Sequence, residues 1–324
     1  MRYARPVLRG TTYHVTKRCV LRHFLLTPNA KMRHIFTYCV AVAAKKYGVE
    51  VHAVCVMSNH FHIVFTDVEG LAPRFMHWLL LQSANAINAY HGRVGQVWES
   101  NPYARITLSG GIEEEVGDPL LSDDDILATI VYTLVNPVAA GLVESGDKWW
   151  GLRLGPLRQA SSTVTVKRPS MYFKTTPEVA TLTIVRPPCY QELGEEEFVE
   201  LLRDRVEEAE RSIRAEFRRT GRKFLGAERA AQVSPDEVPA TLEARGKPKL
   251  EVAGKDGRRF EERKRIIAAW VMAYRLALAA YPEDPTVEFP PGTFDMKRFG
   301  VRIAAEFRLP VEHEQTVSAP QPDG

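Results

Sequence analysis

No uninterrupted apolar run in this sequence approaches the ~20 residues that a membrane-spanning helix needs. The most apolar windows, Phe75–Leu81 and Ala268–Ala280, are broken by polar residues at helical spacing. Met1-Arg-Tyr-Ala-Arg-Pro leads into no apolar signal core, so an exported protein is not expected. Cysteine is scarce. Cys19, Cys39, Cys55 and Cys189 stand far apart with no C-x-x-C pair, which speaks against a disulfide frame or a cysteine zinc site and for reduced, buried thiols of a cytoplasmic protein. Acid is missing from the first 49 residues, which hold ten Lys/Arg; residues 99–147 reverse this, with ten acids against Arg105 alone. A purely basic start suits a phosphate-facing surface, and equally a set of solvated cations. Histidine is nearly absent from the second half: eight of nine precede residue 150 and only His313 follows. Chemistry therefore belongs to the N-terminal half.

What is there is an ordinary globular composition, 324 residues with 45% hydrophobic and 26% charged, enough for two domains. Tyr13–Val20 reads as a first strand. Pro28-Asn29 opens a helix with Met32, Ile35, Phe36, Cys39, Val40 and Ala43 on its apolar face, stopped by Gly48. Val49–Met57 and His60–Thr66 form a hairpin about Ser58-Asn59. A second helix spans 71–90, a further strand or hairpin arm lies within Val97–Leu108, and Ser109–Asp118 is a loop. Ser122-Asp-Asp-Asp125 caps a third helix running to about Val135. The order β-α-β-β-α-β predicts an α+β fold, a ferredoxin-like antiparallel sheet with packed helices, over residues 1–150. Residues 151–192, with five prolines, are expected to be an irregular, partly extended connector. A mostly helical C-terminal extension, 193–310, follows, with helices over 195–219 and 261–281; a disordered tail, 311–324, ends the chain.

Two features carry chemistry. In Asn59-His60-Phe61-His62, strand alternation points both imidazoles to one face and Phe61 into the other layer. Such a pair suits a shared divalent metal, but taken alone the spacing favours two structural histidines on a half-exposed strand. In Tyr132-Thr-Leu-Val-Asn136-Pro137, the tyrosine and asparagine are stacked neighbours one turn apart. Pro137 is expected to end the helix there, leaving either a site at an open edge or a buried aromatic with an Asn cap.

Taken together and in order, these segments have a precedent. Arg9-Gly10-Thr-Thr-Tyr13-His14-Val-Thr16, Ser58-Asn59-His60-Phe61-His62, Gln96-Val97-Trp98-Glu99 and Tyr132 through Asn136-Pro137-Val138 to Ala140-Gly141-Leu142-Val143 follow one another along the chain. Over roughly its first 150 residues the chain resembles the HUH single-tyrosine transposases, IS200-like enzymes, most closely the REP-associated tyrosine transposases. The resemblance implies the HUH fold and DNA transposition. His60 and His62 would hold Mg²⁺ or Mn²⁺ against a phosphodiester of single-stranded DNA, with Asn136 as third ligand. Tyr132 would attack in line, leaving a 5′-phosphotyrosine and a free 3′-hydroxyl for later rejoining. The implied partner is hairpin or palindromic repeat DNA, the implied assembly a homodimer or a monomer, with no membrane.

Arg9, Lys17 and Arg18 are candidate phosphate contacts, or solvent-facing charges. His14 is expected to be a hydrogen-bonded core histidine, the alternatives being a neighbour of the metal site or a DNA contact; Trp98 is expected to be a core residue, and Tyr103 a side chain able to stack on an unpaired base. The rival reading is a catalytically silent hairpin-binding regulator on the same fold.

Overall fold

The computed structural model describes residues 4–100, 104–109, 123–170, 172–240 and 257–307. In the first half, β1 (Thr11–Arg18), α1 (Ala30–Tyr47), β2 (Val49–Val56), β3 (His60–Asp67), α2 (Ala72–His91) and β4 (Ala104–Ser109) follow in turn. These strands lie in the order β4-β1-β3-β2, each pair antiparallel, which is the ferredoxin-like arrangement expected.

Local chemistry sets the ends of the elements. The Asn29 side-chain oxygen accepts from the Met32 N–H at 2.9 Å to start α1, and Gly48, at φ +63°, ends it in the left-handed region. At the start of α2, the N–H groups of Leu71 and Ala72 both donate to the buried carboxylate of Asp67, at 2.8 and 2.7 Å. Asp67 is the last residue of β3, so strand end and helix start are welded together.

Alternation sorts the strands into two faces. Tyr13, Val15, Phe61, Ile63 and Phe65 pack with Phe36 of α1 and Phe75 of α2. The opposite face carries Ala53, Val64 and Leu108 beneath two further helices, α3 (Asp123–Ala139) and α4 (Glu195–Thr220). Each large apolar side chain buried this way contributes about 1.5–3 kcal/mol.

The proline-rich segment after residue 150 is extended, as expected in part, but more regular than a connector. β5 (Arg153–Leu154) pairs with the end of β2, and the hairpin of β6 (Ser161–Lys167) and β7 (Val179–Val185) joins through a parallel contact of Ile184 with Val51, making a seven-stranded sheet. Pro156, Pro169, Pro177, Pro187 and Pro188 all fall outside these strands, where a missing N–H costs no ladder bond. A chain of side chains stitches the join. β2 shifts register by one residue at His52. The His52 ring donates from Nδ1 to the Val185 carbonyl at 2.9 Å and accepts at Nε2 from the Thr66 hydroxyl at 2.7 Å. Thr66 meets Thr12 at 2.8 Å, so β1, β3, β2 and β7 are linked in one polar line. Burial pushes the His52 imidazole down to about 4, against the raising effect of its bond to Val185.

α3 corrects a second expectation. It does not stop at Asn136 but runs through Pro137 to Ala139, the Ala140 N–H donating to the Asn136 carbonyl at 2.9 Å. Gly141, at φ +74°, then turns the chain. α4 lies along α3, with Phe198, Leu202 and Val206 in one cluster with Ile130 and Leu134. The chain after α4 comes back to the end of α3: the N–H groups of Leu225 and Gly226 donate to the carbonyls of Gly141 and Leu142, at 2.8 and 2.9 Å. A buried ion cluster reinforces this. Arg153 donates from Nε to the Leu134 carbonyl at 2.7 Å and pairs with Glu210 at 3.6 Å, while Glu210 accepts from the Gly146 N–H at 2.9 Å and from Arg214 at 3.2 Å.

Beyond α5 (Ala227–Gln232), α6 (Gly257–Ala280) and the short pair β8 (Glu288–Phe289) and β9 (Arg302–Ile303) form a small unit around Trp270, Tyr274 and Phe289. It docks on the first residues described, through Leu8 and a bond from the Val7 N–H to the Gly292 carbonyl at 2.9 Å. All four cysteines are free thiols. Among the described residues no helix is long and apolar enough to cross a membrane. Residues 110–122, 241–256 and 308–324, which hold most of the loop expected over Ser109–Asp118, much of a polar, low-complexity run over Ser234–Arg259, and the tail, lie outside the described residues, as does Tyr103.

Candidate active site

The register of β1 on β3 sets Thr16 opposite His62, His14 opposite Val64 and Arg18 opposite His60. Strand alternation puts His14, Thr16, His60 and His62 on the face covered by α3. There the Tyr132 ring stands 5.4 Å from the His62 ring and 6.0 Å from that of His14, edge-on to both. The rings of His60 and His62 lie 4.9 Å apart at 80°, and His14 stacks on His62 at 5.3 Å. Tyr132 is 50% exposed whereas His62 is 3% exposed, so the phenol stands at the mouth of a pocket whose floor is imidazole. Asn136 follows one turn later on α3 and is buried.

Hydrogen bonds constrain the ring protons. The Asn59 amide donates to the Arg22 carbonyl at 3.0 Å, which leaves its oxygen to accept from His60 Nδ1 at 2.7 Å. His60 Nε2 then carries the lone pair. His62 Nδ1 faces the Thr16 hydroxyl at 2.9 Å and His14 Nε2 at 3.1 Å. His62 Nε2 is buried without a hydrogen-bond partner. Burial pushes the imidazoles of His14 and His60 down to about 4, His60 also feeling the Arg18 cation. Burial pushes His62 to about 2, with His60 and His14 acting in the same direction. These rings are neutral near pH 7, the form that ligates a metal.

The remaining sequence candidates are scattered. Arg18 is exposed beside His60. Lys17 is on the other face, buried, its ammonium donating to the Glu99 carbonyl at 2.7 Å; it does not line this pocket. Arg9 is exposed and paired with Glu69 at 3.3 Å, in a groove of about 700 Å³ that also presents Arg74, Lys297 and Arg298. That groove lies at the far end of β1, roughly 20 Å from His62 at ~3.3 Å per residue. Trp98 is in the core against Phe36 and Phe61. The pocket also contains His14, buried and hydrogen-bonded as expected and standing beside His62, and Thr16, which sequence reasoning did not single out. Their signal was the alternating polar stripe Thr12, His14, Thr16, Arg18 along one strand.

Residues 8–111 match the family model described as "Transposase IS200 like". This stretch is similar to the IS200-like transposases. No curated relative matches the chain. Among solved structures, a REP-associated tyrosine transposase bound to a REP hairpin is 16% identical, covering 46% of this chain and 79% of its own, with a TM-score of 0.36. A protein described as a transposase from Deinococcus radiodurans R1 is 21% identical, covering 34% of this chain and 87% of its own, with a TM-score of 0.27. The matched stretch includes β1 to β4 and both histidines of β3, and ends before α3. Tyr132, which stands beside His62 and His14, and Asn136 lie outside it.

Proposed function

We propose that this protein cleaves and rejoins single-stranded DNA at a hairpin, with Tyr132 as nucleophile and a divalent cation held by His60, His62 and Asn136. One observation carries the reading: a half-exposed tyrosine stands edge-on over the buried His62, whose Nε2 has no hydrogen-bond partner, with the part-buried His60 ring beside it. The orphaned Nε2 of His62 fits a metal, because a buried ring nitrogen without a partner costs about 1–3 kcal/mol unless something fills that role. Among the described residues no three His, Cys, Asp or Glu side chains converge on a metal. The residues that would hold the cation are then two imidazoles and the Asn136 amide; imidazole donors suit Mn²⁺ better than Mg²⁺. When bound, the cation polarises the non-bridging oxygens and offsets charge growing at phosphorus.

Tyr132 supplies the covalent step. Its Oη bonds to phosphorus as the bond from phosphorus to the 3′-oxygen breaks; the phenolic proton is given up and the departing 3′-oxygen gains one. The phosphotyrosine keeps the energy of the ester, so a second 3′-hydroxyl can reverse the step without ATP. Arg18, at the His60 edge, neutralises a neighbouring phosphate.

The test is incubation of labelled hairpin DNA with Mn²⁺ on a denaturing gel. A protein–DNA band that needs metal and disappears in Tyr132→Phe, with hairpin binding retained, supports the reading. Binding without any adduct across a panel of hairpins replaces it with a catalytically silent DNA-binding role.

A further inference from the structure

We propose that Thr16 and His14 are positioning residues that hold the proton of His62 on Nδ1, so that Nε2 presents its lone pair to the pocket. The inference rests on the metal reading above, and adds to it which residues make His62 competent. His60 and His62 solve the same problem differently. His60 has a side-chain amide oxygen at Nδ1, an acceptor only, so its tautomer is set within its own turn. His62 lies in the middle of β3 and has no such neighbour in sequence; its Nδ1 meets two groups from β1 instead, the Thr16 hydroxyl and His14 Nε2.

Both neighbours can accept. The Thr16 oxygen has two lone pairs, and a neutral His14 has one ring nitrogen unprotonated. An Nδ1–H on His62 can therefore be shared between them. The other tautomer would give Nδ1 a single lone pair for two neighbours and leave a buried Nε2–H with no acceptor, the costlier arrangement. His14 adds a steric constraint: its ring is nearly parallel to that of His62, at 15°, and edge-on to Tyr132, at 80°, so one side chain bears on both rings. Strand register makes this possible, since Thr16 is the cross-strand partner of His62. Outer partners of ligating histidines typically account for 10–100-fold in metal affinity.

The tautomer is read directly by long-range ¹H–¹⁵N correlation of the histidine rings in the metal-free full-length protein, a measurement that needs neither metal nor activity. The expected result is His62 protonated at Nδ1 in the wild type. Thr16→Val, alone and with His14→Phe, shifts it toward a mixture and weakens Mn²⁺ binding 10–100-fold by titration of free Mn²⁺. Thr16→Ser, which keeps the hydroxyl, restores both. His62 protonated at Nε2 in the wild type overturns the proposal, without any variant having to fold. So do an unchanged tautomer and affinity in Thr16→Val/His14→Phe. A wild type that is Nδ1-protonated but binds no Mn²⁺ removes the metal reading instead, so the two failures are distinguishable.

Discussion

The ring of Tyr132 meets that of His62 at 89°, with 5.4 Å between centres. A tyrosine whose only task was to fill the core would have its hydroxyl enclosed or bonded, whereas half of Tyr132 is exposed. A first prediction follows from this pairing. Tyr132→Phe unfolds within about 0.5 kcal/mol of the wild type, since only an exposed oxygen is lost, while the DNA adduct vanishes. A fall of several kcal/mol in denaturant unfolding would make the tyrosine structural.

His60→Ala and His62→Ala each weaken Mn²⁺ binding by more than the 10–100-fold expected of outer partners. Adduct formation falls with them, and EDTA abolishes it in the wild type. An adduct of undiminished yield in EDTA would contradict this.

Glu210 is buried and accepts from Gly146, with Arg153 and Arg214 beside it. Glu210→Ala leaves the buried Arg153 without this carboxylate and costs about 3–5 kcal/mol. Glu210→Gln, which keeps an acceptor for the Gly146 N–H, costs less. Chemical denaturation decides it, and a loss below about 1 kcal/mol for Glu210→Ala would refute the prediction.

The His52 stitch makes stability depend on pH. Its folded value is pushed down to about 4 from 6.5. Between these values the unfolded chain binds the proton and the folded chain does not, so stability rises with pH through this window. The contribution is complete above about pH 6.5 and is lost progressively as pH falls to about 4, up to roughly 3 kcal/mol at 1.36 kcal/mol per unit. His14 and His60 add the same sign. His52→Gln isolates the effect: stability measured from pH 7 to 4 declines less steeply than in the wild type, and parallel curves would reject the assignment.

Gly141 turns the chain at φ +74°, and a Cβ placed there would meet the Phe217 ring at 3.0 Å. Gly141→Ala therefore incurs left-handed strain of about 1–2 kcal/mol and pushes α4 from the end of α3. A melting temperature equal to the wild type's would show that the contact yields freely.

Much of the fold was legible because neighbours in sequence decide it. Asn29 and Gly48 bracket α1, Ser58-Asn59 turns the hairpin, and the period of two in His60-Phe61-His62 assigns faces. The misreadings have physical causes. The prolines of 151–192 were weighed by number rather than position, yet they bracket two runs, Thr163 to Val166 and Thr181 to Ile184, that alternate as strands do. Pro137 was given the power to end α3, but the C-terminal segments Arg153 and Leu225-Gly226 bond to carbonyls near that end and support the helix past it. Of the site, spacing pairs His60 with His62 and Tyr132 with Asn136, but only the ordered resemblance along the chain turns them from structural residues into a candidate site. The contact of His14 and Thr16 with His62 could not be read locally, because it depends on which strand lies beside β3, a long-range fact no local pattern records.

The helix bearing Tyr132 leans on chain that comes after it. Its apolar stripe is covered by Phe198, Leu202 and Val206, and the carbonyl of Leu134 is held by Arg153. A protein cut at residue 150 would keep His60, His62 and Tyr132, yet expose that stripe to water and leave the tyrosine on an unsupported arm. The second half of the chain is thus part of the frame rather than an appendage: whatever else it does, it sets where the Tyr132 ring stands.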